Sequence, residues 1–309
     1  MEGLKGRDFI SLKDFSAEEL WYLIETAKNL KEQRKRGVDT PFLKGKTLGM
    51  IFTKASTRTR VSFEVGMYQL GGYALFLSAE ATQIKRGEPI ADTARVLSRY
   101  LDGIMIRTFK HQDVLDLAAQ ADIPVINGLT DLLHPCQALA DLMTIHEKKG
   151  KLSEVKIAYI GDGNNMVHSL LYGAAKFGMK IAVASPPAYM PAEDVVKEAR
   201  MIAGQTNGKI EIINDPLQAV KDADAVYTDV WASMGQEAER EERLKAFHGY
   251  QVNTELLKVA AKEAIIMHCL PAHRGEEITE EVFEGAQSVV FDQAENRLHL
   301  QKAILASLL

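Results

Sequence analysis

The chain has 309 residues, of which 46% are hydrophobic and 26% charged, with a formal net charge of -5. This length suits two domains of about 150 residues, and the composition is that of a folded globular protein. The net charge gives no bulk attraction to nucleic acid or to an anionic membrane. No apolar segment approaches the roughly 20 residues of a membrane helix, so we predict a cytoplasmic protein that binds neither partner.

Strand and helix patterns alternate along the first half of the chain. A capping-box sequence at residues 16–19 predicts a helix that ends near Arg36. Strands are predicted over 47–53, 101–107 and 123–127, and helices over 61–70, 112–121 and from Pro135 to about Lys148. The charged stretch 148–151, which contains a glycine, predicts a domain boundary.

The second half alternates more regularly. It predicts strands over 156–160, 181–184, 209–213, 225–228 and 264–267, and a final helix over 294–309. The fold class is therefore α/β: two doubly wound parallel-sheet domains with a cleft between them, over 1–149 and 150–293. The C-terminal helix 294–309 is expected to pack back on the N-terminal domain.

Polar residues follow the predicted strands, and ligands of open parallel sheets bind at the carboxyl ends of the strands. After the first strand, the segment Ser56–Thr59 and Arg60 precede or begin a helix. Arginines in a first helical turn oppose the helix dipole, so we expect Arg58 and its neighbours to bind an anion such as phosphate. The alternative is that Ser56 caps the helix and the arginines are only solvated.

Three further residues fit the same anion site. Arg107 ends an apolar strand, His134 precedes the proline of a helix start, and Arg297 lies near the start of the last helix. The dipole disfavours an imidazolium at a helix start, so a neutral His134 could donate to a carbonyl oxygen. The alternatives are an ordinary strand-end charge for Arg107 and a helix cap for His134.

The segment around Gly161 and Gly163 imitates a dinucleotide-binding turn. Met166 stands where a third glycine belongs, and Ser185 stands where a ribose-binding acid belongs, so the sequence argues against a nucleotide. Asn164 and Asn165 could instead bind a small ligand's carboxylate.

The sequence holds two cysteines, Cys136 and Cys269, which are too few and too far apart for a disulfide framework, so we expect reduced thiols. Cys136 is interpreted as a filler within its helix, and Cys269 either as a filler or as a contact in the cleft. No metal-binding spacing connects the cysteines with His134, His268 and His273, so we predict no metal site.

Four motifs together resemble one family: STRTR at 56–60, HPCQ at 134–137, DVWASMG at 229–235 and HCLP at 268–271. They resemble the aspartate/ornithine carbamoyltransferase family, and the likeness covers essentially the whole chain. The resemblance implies transfer of the carbamoyl group of carbamoyl phosphate to the side-chain amine of L-ornithine, giving L-citrulline and phosphate, without a cofactor. It also implies a carbamoyl-phosphate-binding domain over 1–149, an ornithine-binding domain over 150–293, and a homotrimer or multiple of trimers.

The resemblance implies the following site residues. Arg58, Arg107, His134 and Cys269 would be catalytic. Carbamoyl phosphate would contact Ser56, Thr57, Arg58, Thr59, Gln83, Arg107, His134, Gln137, Cys269, Leu270 and Arg297, with Gln83 reaching across a subunit interface. Ornithine would contact Asn165, Asp229, Ser233 and Met234. The peptide bond before Pro271 is expected to be cis.

Asp229 is expected to pair with the α-ammonium group of ornithine and to orient Cys269. An aspartate acceptor would call for extra cations in the second domain, and that signature is missing. Putrescine and N-acetylornithine remain as alternative acceptors. A protein that binds carbamoyl phosphate without reacting it remains as a second class, although no motif residue is lost.

Overall fold

The computed structural model describes residues 2–78, 83–232 and 237–309. The chain forms two compact units, Met1–Ala140 with Glu295–Leu309, and Asp141–Ala294. Each unit contains one sheet, and every strand pair within the two sheets is parallel. The predicted α/β class with two parallel sheets is therefore confirmed.

The sheet of the first unit has four strands in the order β2-β1-β3-β4. Its elements are α1 (Ala17–Lys35), β1 (Thr47–Phe52), α2 (Thr57–Gln69), β2 (Tyr73–Ser78), α3 (Ile90–Leu97), β3 (Gly103–Arg107), α4 (His111–Gln120), β4 (Val125–Leu129) and α5 (Pro135–Lys149). The sequence predicted neither β2 nor α3. β2 is an edge strand whose residues are half-buried or exposed on both faces, so it lacks the fully buried pattern of a central strand.

Helix α2 begins four residues before the predicted Val61. Ser56 is its N-cap residue, with extended backbone geometry, and its Oγ accepts a hydrogen bond from the backbone N–H of Thr59 at 3.2 Å. The cap satisfies one of the N–H groups that a helix start leaves unpaired, so the helix can begin at Thr57. Arg58 and Arg60 therefore lie in the first helical turn, as their sequence context indicated.

The sheet of the second unit has five strands in the order β7-β6-β5-β8-β9. Its elements are β5 (Lys156–Ile160), α6 (Asn165–Lys176), β6 (Lys180–Ala184), α7 (Glu193–Thr206), β7 (Lys209–Ile213), α8 (Pro216–Val220), β8 (Ala225–Thr228), α9 (Arg240–Ala246), α10 (Thr254–Leu257), β9 (Ile265–His268), α11 (Glu280–Phe283) and α12 (Val290–Leu308). All five predicted strands of this half are confirmed within one residue at each end.

The end of α12 packs on the first unit, as the sequence predicted. The ammonium group of Lys302 donates to Oε1 of Gln69 in α2 at 3.0 Å. The side chain of Leu309 lies against Gly103 so closely that a Cβ atom on Gly103 would be 2.4 Å from Cδ2 of Leu309. The helix begins at Val290, four residues before the predicted start. The two compact units divide inside α5 and α12, and the predicted boundary after residue 149 lies at the end of α5.

In each sheet the strand order reverses at one point. In the first sheet this point lies between β1 and β3, and in the second between β5 and β8. The connections leave two such neighbouring strands in opposite directions, which opens a crevice beyond their carboxyl ends. Arg107 is the last residue of β3, and the segments after β1, β5 and β8 contain Arg58, Asn165 and Asp229; the sequence selected all four as site residues.

None of the helices in the described ranges is long and apolar enough to cross a membrane.

Candidate functional site

In the first unit, the N-terminus of α2 is joined to the C-terminal helix α12 by a buried hydrogen bond. Nη2 of Arg297 donates to Oγ1 of Thr59 at 2.9 Å, and both side chains are buried. These residues are 238 positions apart in the chain. The contact places a guanidinium group beside the helix N-terminus, where the backbone already presents partial positive charge.

The two arginines of the STRTR segment have different environments. Arg60 is exposed, its Nε donates to Glu64 at 3.0 Å, and its guanidinium lies 3.8 Å from the ring centroid of Phe76. Arg58 is half-buried, and within the described ranges its buried Nε–H group has no acceptor. The anion interpretation of this segment therefore applies to Arg58, whereas Arg60 has an ordinary i,i+4 partner.

His134 lies just before α5 and is surrounded by positive charge. Burial lowers the pKa of its ring well below 6.5, and the charges of four neighbouring cations lower it further. In decreasing order of effect, these cations are Arg297, Arg107, Lys54 and Arg58. The ring is therefore neutral at physiological pH and can donate one hydrogen bond while it adds no further positive charge.

The sequence analysis missed Lys54. Its side chain is buried, its ammonium group lies 3.3 Å from Asp131 and 4.9 Å from the ring centroid of Phe109, and its charge acts on His134. A lysine two residues after a buried strand, just before the STRTR segment, was a signal of this role. All four cations lower the pKa of His134, so their combined positive charge would also attract an anion to this part of the unit.

The remaining predicted residues of the first unit differ in exposure. Gln137 is buried in the first turn of α5, and Thr57 is exposed at the first position of α2. Gln83 is exposed in a one-turn 3-10 helix, Gln83–Arg86. Cys136 is fully buried and lies 3.5 Å from the backbone carbonyl oxygen of Asn127, and burial raises its pKa to about 12, as expected for a thiol that fills space.

In the second unit, Asp229 is the centre of a hydrogen-bond network after β8. Its Oδ1 accepts from the backbone N–H of Val230 at 2.8 Å and from Sγ of Cys269 at 3.0 Å. Its Oδ2 accepts from Nδ2 of Asn164 at 2.8 Å. A carboxylate has about four acceptor positions, so these three bonds fix its orientation and leave capacity for one more donor.

Asn164 and Asn165 lie at the start of α6. Oδ1 of Asn164 accepts from the backbone N–H groups of Met166 and Val167, so Asn164 is the N-cap residue of α6 and also holds Asp229. Asn165 follows as the first residue of the helix, with a half-buried side chain. The amide of Asn164 thus has structural bonds on both its oxygen and its nitrogen, and the assignment of Asn165 as a ligand residue stays a prediction.

The thiol of Cys269 stays protonated. Burial raises its pKa well above 9, and the neighbouring Asp229 raises it further. The thiol therefore acts as a hydrogen-bond donor to Asp229, and a thiolate nucleophile is disfavoured at neutral pH.

Two buried residues that the sequence analysis left out of the site, His268 and Glu277, fix the backbone of the HCLP segment. Nδ1 of His268 accepts from the backbone N–H of Leu270 at 2.9 Å, so the ring proton is on Nε2, which donates to Glu277 at 2.9 Å. Both side chains are fully buried. Leu270 has a positive φ of 62°, and the predicted cis peptide bond before Pro271 is confirmed.

A second buried network supports the same segment. The backbone N–H of His268 donates to Gln293 at 3.0 Å, and the amide of Gln293 donates to Asp141 at 2.7 Å. The hydroxyl of Tyr227 donates to the other oxygen of Asp141 at 2.9 Å. Sequence spacing could not reveal this network, because its members come from four separate elements.

The turn that imitates a nucleotide-binding motif is filled by the protein itself. A Cβ atom on Gly163 would lie 2.3 Å from the backbone of Met190 and Pro191. The backbone N–H of Gly163 donates to the carbonyl oxygen of Tyr189 at 2.8 Å. The close approach that a glycine permits here is used by this loop and not by a pyrophosphate.

Two groups of residues in the described ranges have the donor types of a metal site. The donor atoms of Asp229, His268 and Cys269 lie within 4.8 Å of one another, and so do those of His273, Glu276 and Glu277. In the first group both ring nitrogens of His268 and the thiol of Cys269 already make hydrogen bonds, which a metal would have to displace.

Ser233 and Met234, predicted to contact ornithine, lie outside the described residues.

Each half of the chain matches the model of a known protein family. Residues 7–147 match the model of the aspartate/ornithine carbamoyltransferase carbamoyl-P binding domain, and residues 153–308 match that of the Asp/Orn binding domain. The chain therefore belongs to the aspartate/ornithine carbamoyltransferase family.

Its similar relatives include ornithine carbamoyltransferases of bacteria and archaea. The enzyme of Anoxybacillus flavithermus is 62% identical over 306 residues, which cover 99% of this chain and 98% of that protein. The anabolic ornithine carbamoyltransferase of Pyrococcus furiosus is 59% identical over 303 residues, 98% of this chain and 96% of that protein. A solved structure of the P. furiosus enzyme matches with a TM-score of 0.96 at 58% identity, covering 99% of this chain and 97% of the other.

The environment of His134 predicts its behaviour on titration. Because burial and four cations lower its pKa, the ring should stay neutral from pH 8 down to pH 6. NMR of the protein with labelled histidine would show a ring signal that does not shift over this range. The signal is assigned by its loss in His134→Gln. A midpoint near 6.5 for that signal would contradict the described environment.

Proposed function

We propose that this protein transfers the carbamoyl group of carbamoyl phosphate to the side-chain amine of L-ornithine, giving L-citrulline and phosphate. The observation that carries the proposal is the group of four cations around a neutral His134 in the first unit. The names of relatives at about 60% identity over the whole chain support the choice of substrates.

We propose that the phosphate group binds at the N-terminus of α2. Arg58 has an unpaired Nε–H group, and Ser56, Thr57 and Thr59 offer hydroxyl and backbone donors at the positive end of the helix dipole. Arg107 and Arg297 add fixed positive charge. A dianionic phosphate would be attracted by the four cations that act on His134.

His134 would act on the carbamoyl oxygen. The side-chain amine loses its ammonium proton on binding and attacks the carbamoyl carbon, so that the carbamoyl oxygen gains negative charge. The bond from that carbon to the phosphate oxygen then breaks, and the attacking nitrogen gives up a second proton to the departing phosphate. Donors that are already in place, such as His134, Arg58 and Arg107, stabilise this charge without reorganisation. Gln137, buried in the first turn of α5, is the candidate donor or acceptor for the carbamoyl amide. The transfer changes no oxidation state, so it requires no redox cofactor.

The acceptor would bind in the second unit. Asp229 has capacity for one more donor, so it can accept from the α-ammonium group of ornithine, and Asn165 can address the α-carboxylate. Because the thiol of Cys269 stays protonated and occupies Oδ1 of Asp229, it directs the ammonium group to Oδ2. A protonated thiol favours direct attack by the amine over a covalent thiol intermediate.

The domain roles and the direction of the reaction are also proposals. We assign carbamoyl phosphate to residues 1–149 with 294–309, and ornithine to residues 150–293. The similarity to relatives named anabolic supports a role in arginine biosynthesis. The two free cysteines support a reducing compartment such as the cytoplasm.

Arg58 and Arg60 provide a matched test of the phosphate site. Arg58→Lys removes the planar donors that grip an oxyanion, so kcat/KM for carbamoyl phosphate should fall on the order of 100-fold or more. Arg60→Lys keeps the charge next to Glu64 and should change it less than about threefold. Steady-state kinetics with varied carbamoyl phosphate checks both values. Equal effects of the two substitutions would remove Arg58 from the proposed site.

The acceptor is tested by supplying carbamoyl phosphate with ornithine, putrescine, N-acetylornithine or aspartate in separate reactions. Ornithine alone should give a ureido product together with an equal amount of phosphate. It is the only one of the four that combines the α-ammonium and α-carboxylate groups assigned to Asp229 and Asn165 with a side-chain amine. Product from another amine would assign a different acceptor. Binding of carbamoyl phosphate without any product would support the noncatalytic alternative.

Asp229→Asn is the corresponding variant for this assay, with Asp194→Asn on the exposed first turn of α7 as its control. Asp229→Asn should raise the KM for ornithine about 100-fold and leave the affinity for carbamoyl phosphate within about twofold of the wild-type value. The control should change neither value. Unchanged turnover and ornithine affinity in Asp229→Asn would refute the role of Asp229.

We also propose that the chain assembles as a homotrimer through the edge of the first sheet. The edge strand β2 leaves Tyr73 65% exposed, and Val61 and Tyr68 on α2 are 50% and 81% exposed. A long unpaired edge with exposed aromatic residues is typical of a surface that another chain covers. Gln83 follows this strand, which is consistent with its predicted contact across a subunit interface.

Sedimentation velocity tests this assembly. The wild-type protein should sediment with three times the 34.3 kDa mass of the chain. Tyr73→Glu places a charge on the proposed interface and should give monomers, whereas Tyr100→Glu, at a residue that is 74% exposed after α3, should stay trimeric. A monomeric wild type, or a trimeric Tyr73→Glu, would contradict the proposed interface.

A further inference from the structure

Arg243 is a buried cation on an otherwise exposed, highly charged helix. In α9 the neighbouring residues Arg240, Glu241 and Glu242 are exposed, whereas the side chain of Arg243 is only 7% exposed. Burying a guanidinium group costs free energy unless its donors are satisfied. Its partners therefore indicate what the residue does.

The guanidinium group contacts the segments that follow three neighbouring strands. Nη1 donates to Oδ2 of Asp162 after β5 at 3.0 Å and to the backbone carbonyl oxygen of Trp231 after β8 at 2.8 Å. The group also lies 4.8 Å from the ring centroid of Tyr189 after β6, and its Nε donates to Glu239 at 3.0 Å. One side chain thus connects the carboxyl ends of three strands.

Two of these segments carry the acceptor residues. Asp162 lies two residues before Asn164, and Trp231 lies two residues after Asp229. The bond from Nδ2 of Asn164 to Oδ2 of Asp229 joins the same two segments directly. Arg243 therefore makes a second connection across the crevice between β5 and β8, at the point where the strand order reverses.

The surroundings of the guanidinium group keep this connection rigid. The ring of Phe247, one turn further along, stacks on Trp231 at 5.6 Å and contacts the ring of Tyr189 at 5.0 Å. Burial raises the pKa of Asp162 to about 6, and the charge of Arg243 acts in the opposite direction. Above this pH the Asp162 carboxyl group is ionised and pairs with Arg243. The pair is buried beside aromatic rings, so its hydrogen bonds hold a defined geometry.

We propose that Arg243 is a positioning residue for the acceptor amino acid: it fixes the separation of the Asn164–Asn165 turn and the Asp229 carboxylate without touching the substrate. The inference rests on the proposed function, because it concerns the site in which ornithine would bind. Asn165 and Asp229 address opposite groups of one small zwitterion, so their separation determines how well both groups are bound at once.

A purely structural role for Arg243, as the counter-charge of buried Asp162, is the alternative. Such a role predicts lower stability in all variants that break the pair, with no selective effect on either substrate. A positioning role predicts a selective effect on ornithine, because the phosphate group of carbamoyl phosphate is assigned to residues of the other unit. The KM for ornithine and the dissociation constant of carbamoyl phosphate therefore distinguish the two.

The experiment uses full-length Arg243→Lys, Asp162→Asn and the double variant Asp162→Asn/Arg243→Gln. Arg240→Lys is the matched control, on the same helix but exposed and paired with Glu276. Arg243→Lys keeps the charge and loses the planar donors that reach two segments. It should raise the KM for ornithine at least about tenfold. A misplacement of a bound group by about 1 Å can lower the rate of catalysis on the order of 100-fold, so small shifts in the site have large effects.

The other readouts separate positioning from stability. The dissociation constant of carbamoyl phosphate, measured by calorimetry without ornithine, should stay within about twofold of wild type in every variant that is folded by circular dichroism. Asp162→Asn should raise the ornithine KM in the same direction and still fold, because Glu239 remains as a partner of Arg243. The neutral double variant should recover part of the loss, and Arg240→Lys should match wild type.

An ornithine KM within twofold of wild type in folded Arg243→Lys and Asp162→Asn would overturn the inference, as would an equal loss of carbamoyl phosphate affinity. Failure of the proposed function would look different. Wild-type protein that makes no citrulline would refute the function itself, whereas active wild type with unaffected variants would refute only the role of Arg243.

Discussion

The parallel direction of all strands in each sheet is the constraint on which the rest of the structure depends. Parallel strands bring their carboxyl ends to one edge, so the segments that follow them must lie side by side. Where the strand order reverses, the two neighbouring connections diverge and leave space for a ligand. In the first unit this brings Arg58 and Arg107 to one edge, and in the second it brings Asn165 and Asp229 together.

The two edges use different physical chemistry. The first concentrates positive charge: burial lowers the pKa of His134, and three arginines and a lysine lower it further, so the ring stays neutral. Such an arrangement suits a phosphate group. The second edge is built around the Asp229 carboxylate, which already accepts three hydrogen bonds, with the ion pair of Asp162 and Arg243 beside it. A zwitterion needs this kind of site, with a small number of oriented donors and acceptors.

Buried polar networks behind the second edge explain how its geometry is kept. His268 and Glu277 hold the backbone of Leu270, while Gln293, Asp141 and Tyr227 hold the end of β9. Arg243 joins the segments that follow β5, β6 and β8. Because an incompletely bonded polar group is costly in a buried environment, each network has a strong preference for a single arrangement. Precise placement of a small acceptor follows from this preference.

The sequence by itself determined the fold class and the strands of the second sheet, because central parallel strands are short apolar runs bounded by turns and helices. It also identified the residues after the strands as the candidate site, and the cis bond before Pro271 through a family motif. It missed β2, which is an edge strand without a fully buried pattern, and it began α2 too late because the N-cap at Ser56 was not used.

Only the tertiary structure showed the contacts through which these polar residues act. The residue pattern around the STRTR segment could not distinguish Arg58 from Arg60, although the family resemblance selected Arg58; the structure gives Arg60 a separate environment, with its partner Glu64 and a ring contact with Phe76. Lys54, Glu277 and Arg243 were missed because a charged residue shows its burial only through contacts with distant segments. Thr59 and Arg297 meet across 238 positions of chain. Sequence patterns report periodicity along the chain, whereas a site is defined by distances across it.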